Sequence, residues 1–209
     1  VKTLHTLNQK GFFITAIHTD SGKTLVSAIL THALKADYWK PVQCGEPADT
    51  DQIKSWLGSE VVCHPERYRL QTPASPHFAA EKEGVSIRLS DFRLPETNNN
   101  LIVEGAGGVL VPVSTKETIA DLIEHLELPV ILVINHYLGA LNHGMLTIRE
   151  LKQRQIPLAG IIFNGEDFQN AESILLQEAG CSCLLRIPKL ESVGLEQIRE
   201  LSTQLQWNH

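Results

Sequence analysis

Short apolar runs alternate with helix-period segments from one end of this chain to the other, and few folds accommodate that rhythm. Gly11–Ile17, Tyr38–Val42, Asn100–Glu104, Val130–Ile134, Leu158–Phe163 and Cys183–Ile187 are strand-length and mostly apolar. Between the first two, Thr24–Ala36 is apolar on most sides through Leu25, Val26, Ala28, Ile29, Leu30, Ala33 and Leu34, as a helix buried against a sheet must be. Leu141, Met145, Ile148 and Leu151 form one stripe before Ile156–Pro157 stops the next helix, and Leu195, Ile198, Leu201 and Leu205 repeat the pattern near the C-terminus. Alternation of this kind is the signature of βαβ units. It predicts the α/β class, with a mostly parallel sheet flanked by helices on both faces and residues 1–209 forming a single domain. The stretch Gln43–Thr97 is less regular, interrupted by Pro47, Pro65, Pro73, Pro76 and Pro95, and is expected to form loops and short helices beside a ligand.

Composition narrows the function classes. The 209 residues carry a formal net charge of −6 and no run of Lys or Arg, so the electrostatic footprint of a nucleic-acid binder is missing. An anionic ligand must then be held by a local cluster of cations and backbone N–H groups. The apolar run Pro129–Ile134 is far too short to span a bilayer, and Val1–Lys10 carries His5, Asn8 and Gln9 where a signal peptide needs an apolar stretch. A soluble, cytoplasmic chain without membrane partners is expected. Cys44, Cys63, Cys181 and Cys183 form no Cys-x-x-Cys pair and read as reduced thiols, and the nine histidines show no metal-ligand spacing.

Gly22-Lys23-Thr24 stands directly after an apolar strand and directly before a helix, the context of a phosphate-binding loop. The first helical N–H groups lack intrahelical partners and the helix dipole is positive there. Lys23 adds a full charge, and the Thr24 hydroxyl is a Mg²⁺ ligand in loops of this kind. The strict Gly-x4-Gly-Lys-Thr pattern fails, because Ile17 occupies the first glycine position; a spacing longer by one residue begins at Ala16. A helix start that happens to contain Gly-Lys-Thr is the alternative.

Glu104-Gly-Ala-Gly-Gly108 follows the strand Leu101–Val103, so Glu104 is expected at the carboxyl end of a strand, where open α/β sheets bind ligands and a carboxylate can hold Mg²⁺. The alternative is a tight turn with a solvated glutamate. Lys40 precedes Pro41 at the end of the second predicted strand and is expected to face the same cleft as Lys23, while Asp49 and Asp51 follow on a polar loop as candidates for a second magnesium carboxylate. Ser75 has no evident base partner, which argues against a hydrolase triad.

With these residues placed, the chain resembles the dethiobiotin synthetase family over nearly its whole length. The matching segments, in order, are Ala16-Ile-His-Thr-Asp-Ser-Gly-Lys-Thr24, Lys40-Pro-Val42, Pro73-Ala-Ser-Pro-His77, Glu104-Gly-Ala-Gly-Gly108, Leu138-Gly-Ala-Leu-Asn-His143 and Ala159-Gly-Ile-Ile-Phe-Asn164. The resemblance implies a P-loop fold and the ATP- and Mg²⁺-dependent carboxylation and ring closure of 7,8-diaminononanoate with CO₂, giving dethiobiotin, ADP and phosphate. It implies catalytic roles for Lys40, Lys23 and Thr19, and nucleotide contacts from Asp20, Ser21, Gly22, Lys23, Thr24, Leu25, Asn164 and Pro188. It also implies substrate contacts from Thr19, Lys40, Cys44, Gly107, Leu141 and Asn142, Mg²⁺ ligation by Thr24, Asp51 and Glu104, and a homodimer with the substrate site at its interface.

Four positions depart from the family's commoner pattern: Ala16 replaces a glycine, His18 an aspartate, Asp20 a glutamate and Cys44 a serine. The rival readings are a regulatory P-loop ATPase of the partitioning type, another carboxyl- or amide-activating ligase of the superfamily, and a binding module that has lost the chemistry. Partitioning ATPases usually carry an extra lysine early in the loop, where this chain has Ile17, His18 and Thr19.

Overall fold

The computed structural model describes residues 11–167 and 170–206, so the reading of Val1–Lys10 falls outside the described residues. Nine strands are present among the described residues: β1 (Gly11–Ala16), β2 (Asp37–Trp39), β3 (Val42–Cys44), β4 (Cys63–His64), β5 (Tyr68–Leu70), β6 (Leu101–Gly108), β7 (Val130–Asn135), β8 (Leu158–Asn164) and β9 (Cys183–Ile187). The helices are α1 (Lys23–Leu34), α2 (Asp49–Leu57), α3 (Pro76–Lys82), α4 (Ile119–Leu126), α5 (Ala140–Gln153), α6 (Ala171–Ala179) and α7 (Leu195–Thr203). Seven strands form one parallel sheet in the order β4-β2-β6-β1-β7-β8-β9, and β3 pairs with β5 in a separate parallel ribbon.

Strand alternation sorts the core into two layers, because successive side chains point to opposite faces. Phe13, Val103, Val130, Leu132 and Ile134 pack with Ile119, Leu122, Ile148, Leu151 and Leu175, the inward residues of α4, α5 and α6. Ile14, Ile102, Ile131 and Val133 pack with Val26, Ile29, Leu30, Ile53, Leu57, Ile198 and Leu201 of α1, α2 and α7. The chain moves to one side of β1 through α1 and later returns to its other side with β7, and such a reversal of strand order opens a crevice at the carboxyl ends of the strands. Both cavities described below lie there. Among the described residues no helix is long and apolar enough to cross a membrane.

The predicted strand Tyr38–Val42 is instead two strands belonging to two sheets. Pro41 has no N–H to donate, so pairing with β6 ends at Trp39 and the chain turns away. The Pro41 carbonyl accepts from the N–H groups of Arg67 and Tyr68, which starts the β3–β5 ribbon. The predicted strand Asn100–Glu104 runs further than expected: β6 continues through Gly108, with Gly105–Gly107 bulged between the pairs Ile14↔Glu104 and Ala16↔Gly108. The polar loop expected around Asp49 is helix α2.

At the amino end of β2, the buried Asp37 carboxylate accepts from Thr97 Oγ1 (2.7 Å), Asn99 Nδ2 (2.9 Å) and His64 Nε2 (2.9 Å). Burial by itself would raise its pKa, but these donors outweigh burial and hold it below the ordinary value. A depressed folded-state pKa means that this stabilisation is complete above the unfolded value, about 3.9, and is lost as pH falls through the folded one. Asp37→Ala is expected to cost about 2 kcal/mol in urea unfolding at neutral pH, and the difference from the parent should shrink as the medium is acidified below about pH 4. A difference independent of pH would show that the charge is not what stabilises.

Candidate active site

The loop from β1 to α1 is built around its own carbonyls. Ser21 Oγ donates to the His18 carbonyl at 3.0 Å and Lys23 Nζ reaches the same oxygen at 3.4 Å, so the lysine folds back over the loop. Gly22 caps α1 at φ 93°, a conformation that favours glycine, and a Cβ there would sit 2.4 Å from Asn164 Nδ2 and displace that amide. Ala16 needs no such freedom: it ends β1 as an extended strand residue paired with Gly108. Asp20, at φ 60°, is a second left-handed residue of the loop beside Gly22. His18 sets its ring edge-on to Tyr137 at 4.9 Å, and the Tyr137 hydroxyl in turn meets His143 Nδ1.

A cleft of about 750 Å³ opens above this loop. Of the predicted residues it is lined by Thr19, Asp20, Gly22, Lys23, Thr24, Leu25, Lys40, Cys44, Glu104 and Gly107. Ser21 is buried beneath it. Asn164 and Pro188 line a neighbouring cavity of about 640 Å³ that shares Leu25 with the cleft, and Asn164 Nδ2 donates to the Ser21 carbonyl at 3.0 Å. Leu141 and Asn142 stand apart from both cavities on the first turn of α5, with Asn142 exposed.

Three elements and the residue that follows β2 converge on one polar knot in the cleft. Thr24 Oγ1 lies 2.9 Å from Asp49 Oδ1 and 3.0 Å from Glu104 Oε1. Lys40 Nζ lies 2.6 Å from Asp49 Oδ2 and 3.2 Å from Glu104 Oε1, and donates to the Gly105 carbonyl at 2.9 Å. Sheet parity explains the meeting: Tyr38 pairs with Ile102, so residues 38 and 40 face the same way as residues 102 and 104, toward α1. Glu104 is 1% exposed and Lys40 4% exposed, so these charges act in a medium of low polarity.

Asp51 is the correction. The structure brings Asp49 to Thr24 and Glu104, whereas Asp51 is exposed and bound to Arg69 Nη2 at 2.9 Å. Two residues on a helix differ by about 200° around its axis, so only one of this pair can face the cleft. Recognising Asp49 as a helix start would have made the choice from sequence.

Charge and burial set the protonation states. Burial and the neighbouring Lys40 push the Lys23 ammonium down to about 8. Lys40 is more deeply buried, yet the Glu104 and Asp49 carboxylates outweigh that burial and raise it above the ordinary lysine value. Asp49 is held low by the Lys40 and Thr24 contacts despite its burial. Burial pushes the Cys44 thiol up to about 11, leaving a neutral S–H in the cleft wall. The knot offers one hydroxyl and two carboxylates, all hard oxygens, with an ammonium already accommodated between the carboxylates; this donor set suits Mg²⁺. Outside the cleft, His136, Asp167 and Glu172 also bring donor atoms within 4.8 Å of one another, but Arg186 occupies Glu172, and among the described residues His136 Nδ1 has no partner of the kind that orients a metal-bound imidazole.

Comparison with known proteins follows the same lines. The family model described as "AAA domain" matches residues 10–197. The ATP-dependent dethiobiotin synthetase of Cytophaga hutchinsonii is 51% identical over 199 residues, covering 94% of this chain and 97% of that protein. The enzymes of the same name from Christiangramia forsetii and Afipia carboxidovorans are 47% and 41% identical, covering 79% and 89% of this chain and 81% and 90% of theirs. Among solved structures, a ParA family ATPase from Chlorobium tepidum TLS superposes with a TM-score of 0.52 at 16% identity, covering 93% of this chain and 91% of its own. The MinC:MinD cell division protein complex of Aquifex aeolicus gives 0.50 at 10% identity, covering 91% and 86%. Likeness at that level of identity shows a shared fold.

Proposed function

Because this chain belongs to the family of ATP-dependent dethiobiotin synthetases, we propose that its cleft carboxylates 7,8-diaminononanoate and closes the cyclic urea at the expense of ATP, with residues 1–209 serving as one catalytic domain in the cytoplasm. The observation that carries this reading is the knot itself: Thr24, Lys40, Asp49 and Glu104 meet at one point beside a helix N-terminus and a second cation, Lys23. Such a point suits the encounter of two anions, a carbamate and a triphosphate, which repel each other unless neutralised.

In this reading the free N–H groups at the start of α1 and the Lys23 ammonium receive the phosphates, while the base enters the neighbouring cavity lined by Leu25, Asn164 and Pro188. Thr24, Asp49 and Glu104 would hold Mg²⁺, which supplies charge neutralisation to the phosphoryl oxygens. Lys40 holds the carbamate formed from one amine and CO₂, with Thr19 and Cys44 on the same cleft wall. A carbamate oxygen attacks the terminal phosphorus and ADP leaves. The second amine then attacks the carbamoyl carbon, the C–O bond to phosphate breaks, and dethiobiotin forms. Residues of the chain position and neutralise; none need form a covalent bond to substrate.

We further infer a homodimer in which the first turn of α5, with Leu141, Asn142 and Gly107 of the cleft, helps bind the substrate carboxylate. Supporting this, Leu138 and Leu146 are 81% and 61% exposed, Leu138 just before α5 and Leu146 one turn after Asn142.

A coupled assay tests the reaction. Phosphate release is expected to require both the diamine and bicarbonate, and to fall by at least about a hundredfold when EDTA removes divalent cations, recovering on addition of excess Mg²⁺. Turnover indifferent to the diamine and bicarbonate would exclude the proposal.

A further inference from the structure

Tyr38 is fully buried in strand β2, and its hydroxyl donates to Glu104 Oε2 at 3.0 Å. Phenylalanine would fill the same apolar space, and a buried hydroxyl costs free energy unless it is used. Its use here is specific. Glu104 Oε1 faces Thr24 and Lys40, and Oε2 faces Tyr38, so the two oxygens of one carboxylate have separate partners. The last torsion of a glutamate is broad and roughly two-fold, so packing of the methylenes alone would let the carboxylate turn. The β2–β6 register fixes where the phenol lies, because Tyr38 pairs with Ile102, one step along the same face from Glu104.

We propose that Tyr38 is a positioning residue for the reaction: its hydroxyl locks the rotation of the Glu104 carboxylate so that one oxygen alone is presented to the divalent cation and the nucleotide phosphates. This rests on the assignment of Thr24, Asp49 and Glu104 as the Mg²⁺ set, and the experiment separates the two. Calorimetric titration of ADP into the parent protein, in Mg²⁺ and in EDTA, tests that assignment: tighter binding in Mg²⁺ upholds it, and equal binding removes it. The same titrations on Tyr38→Phe test the positioning role. Affinity in Mg²⁺ is expected to fall by about tenfold, the lower end of the effect of losing an outer partner of a metal ligand, with affinity in EDTA unchanged. In a Glu104→Gln background, Tyr38→Phe is expected to add nothing.

An equal loss in EDTA, no loss in Mg²⁺, or a full additive loss in the double variant would each overturn the proposal. Should Tyr38→Phe fail to fold, p-aminophenylalanine in place of Tyr38 keeps a donor on a ring of the same shape. It is expected to hold the Mg²⁺-dependent affinity within about twofold of the parent, a hydrogen bond's worth of difference at most, and a larger loss counts against the role.

Discussion

Lys40→Gln is expected to lower kcat for dethiobiotin formation by at least about a hundredfold, the scale for removing a fixed charge that meets developing negative charge in the transition state. Two features of the site make the effect large. The ammonium is almost wholly buried, so solvent cannot take over its role, and it lies within contact distance of both carboxylates that face the cleft. Glutamine is polar but neutral and one bond shorter, so the loss should fall on chemistry and on the carbamate, with the KM for ATP less changed than in Lys23→Gln. The variant will also be less stable: breaking a buried ion pair costs about 3–5 kcal/mol, because Asp49 and Glu104 are left facing each other. Rates must therefore be read on folded protein, at saturating nucleotide and below the melting transition. A near-normal kcat on folded protein would remove Lys40 from the mechanism.

The second large effect separates two aspartates two residues apart. Asp49→Asn is expected to weaken the apparent affinity for Mg²⁺, read from the metal dependence of kcat, by at least about tenfold, since even outer partners of a metal ligand have effects of that size. Asp51→Asn is expected to leave it within about twofold, because its carboxylate is tied to an exposed Arg69, and exposed pairs contribute about 0–1 kcal/mol. Equal effects at the two positions would mean that α2 turns when ligands bind. A large effect at Asp51 alone would restore the assignment that the resemblance suggested.

The same pair shows where the sequence was legible. The central strands declare themselves through uninterrupted Val, Ile and Leu runs, as at Val130–Ile134, because both faces are covered and no alternation is required. The loop at Gly22-Lys23-Thr24 and the carboxylate at Glu104 could be placed because each follows such a run directly. Legibility failed where local chemistry depends on a break or a face. An apolar run through Lys40–Pro41 reads as one strand, and the missing N–H of Pro41 makes it two. Asp49 and Asp51 are indistinguishable as a loop and opposite as a helix, and α2 is only nine residues long, in a proline-rich stretch whose periodicity is weak. Tyr38 gave no signal, because a tyrosine in a strand is ordinary; its role exists only in the pairing of β2 with a strand more than sixty residues later. Helix α4 was within reach of the sequence, since Ile119, Leu122, Ile123 and Leu126 follow the helical period, and its capping box of Thr118 and Asp121 marks the start.

Thr24 sits at the centre of the knot with one hydroxyl proton and two claimants, Asp49 Oδ1 and Glu104 Oε1. At any instant one of those oxygens goes without it, although Glu104 Oε1 keeps the Lys40 ammonium at 3.2 Å as a second donor. The shared proton ties the first turn of α1 to both α2 and β6 through a single atom. A serine at this position would keep the sharing, whereas valine would abolish it and leave Lys40 to bridge Asp49 and Glu104.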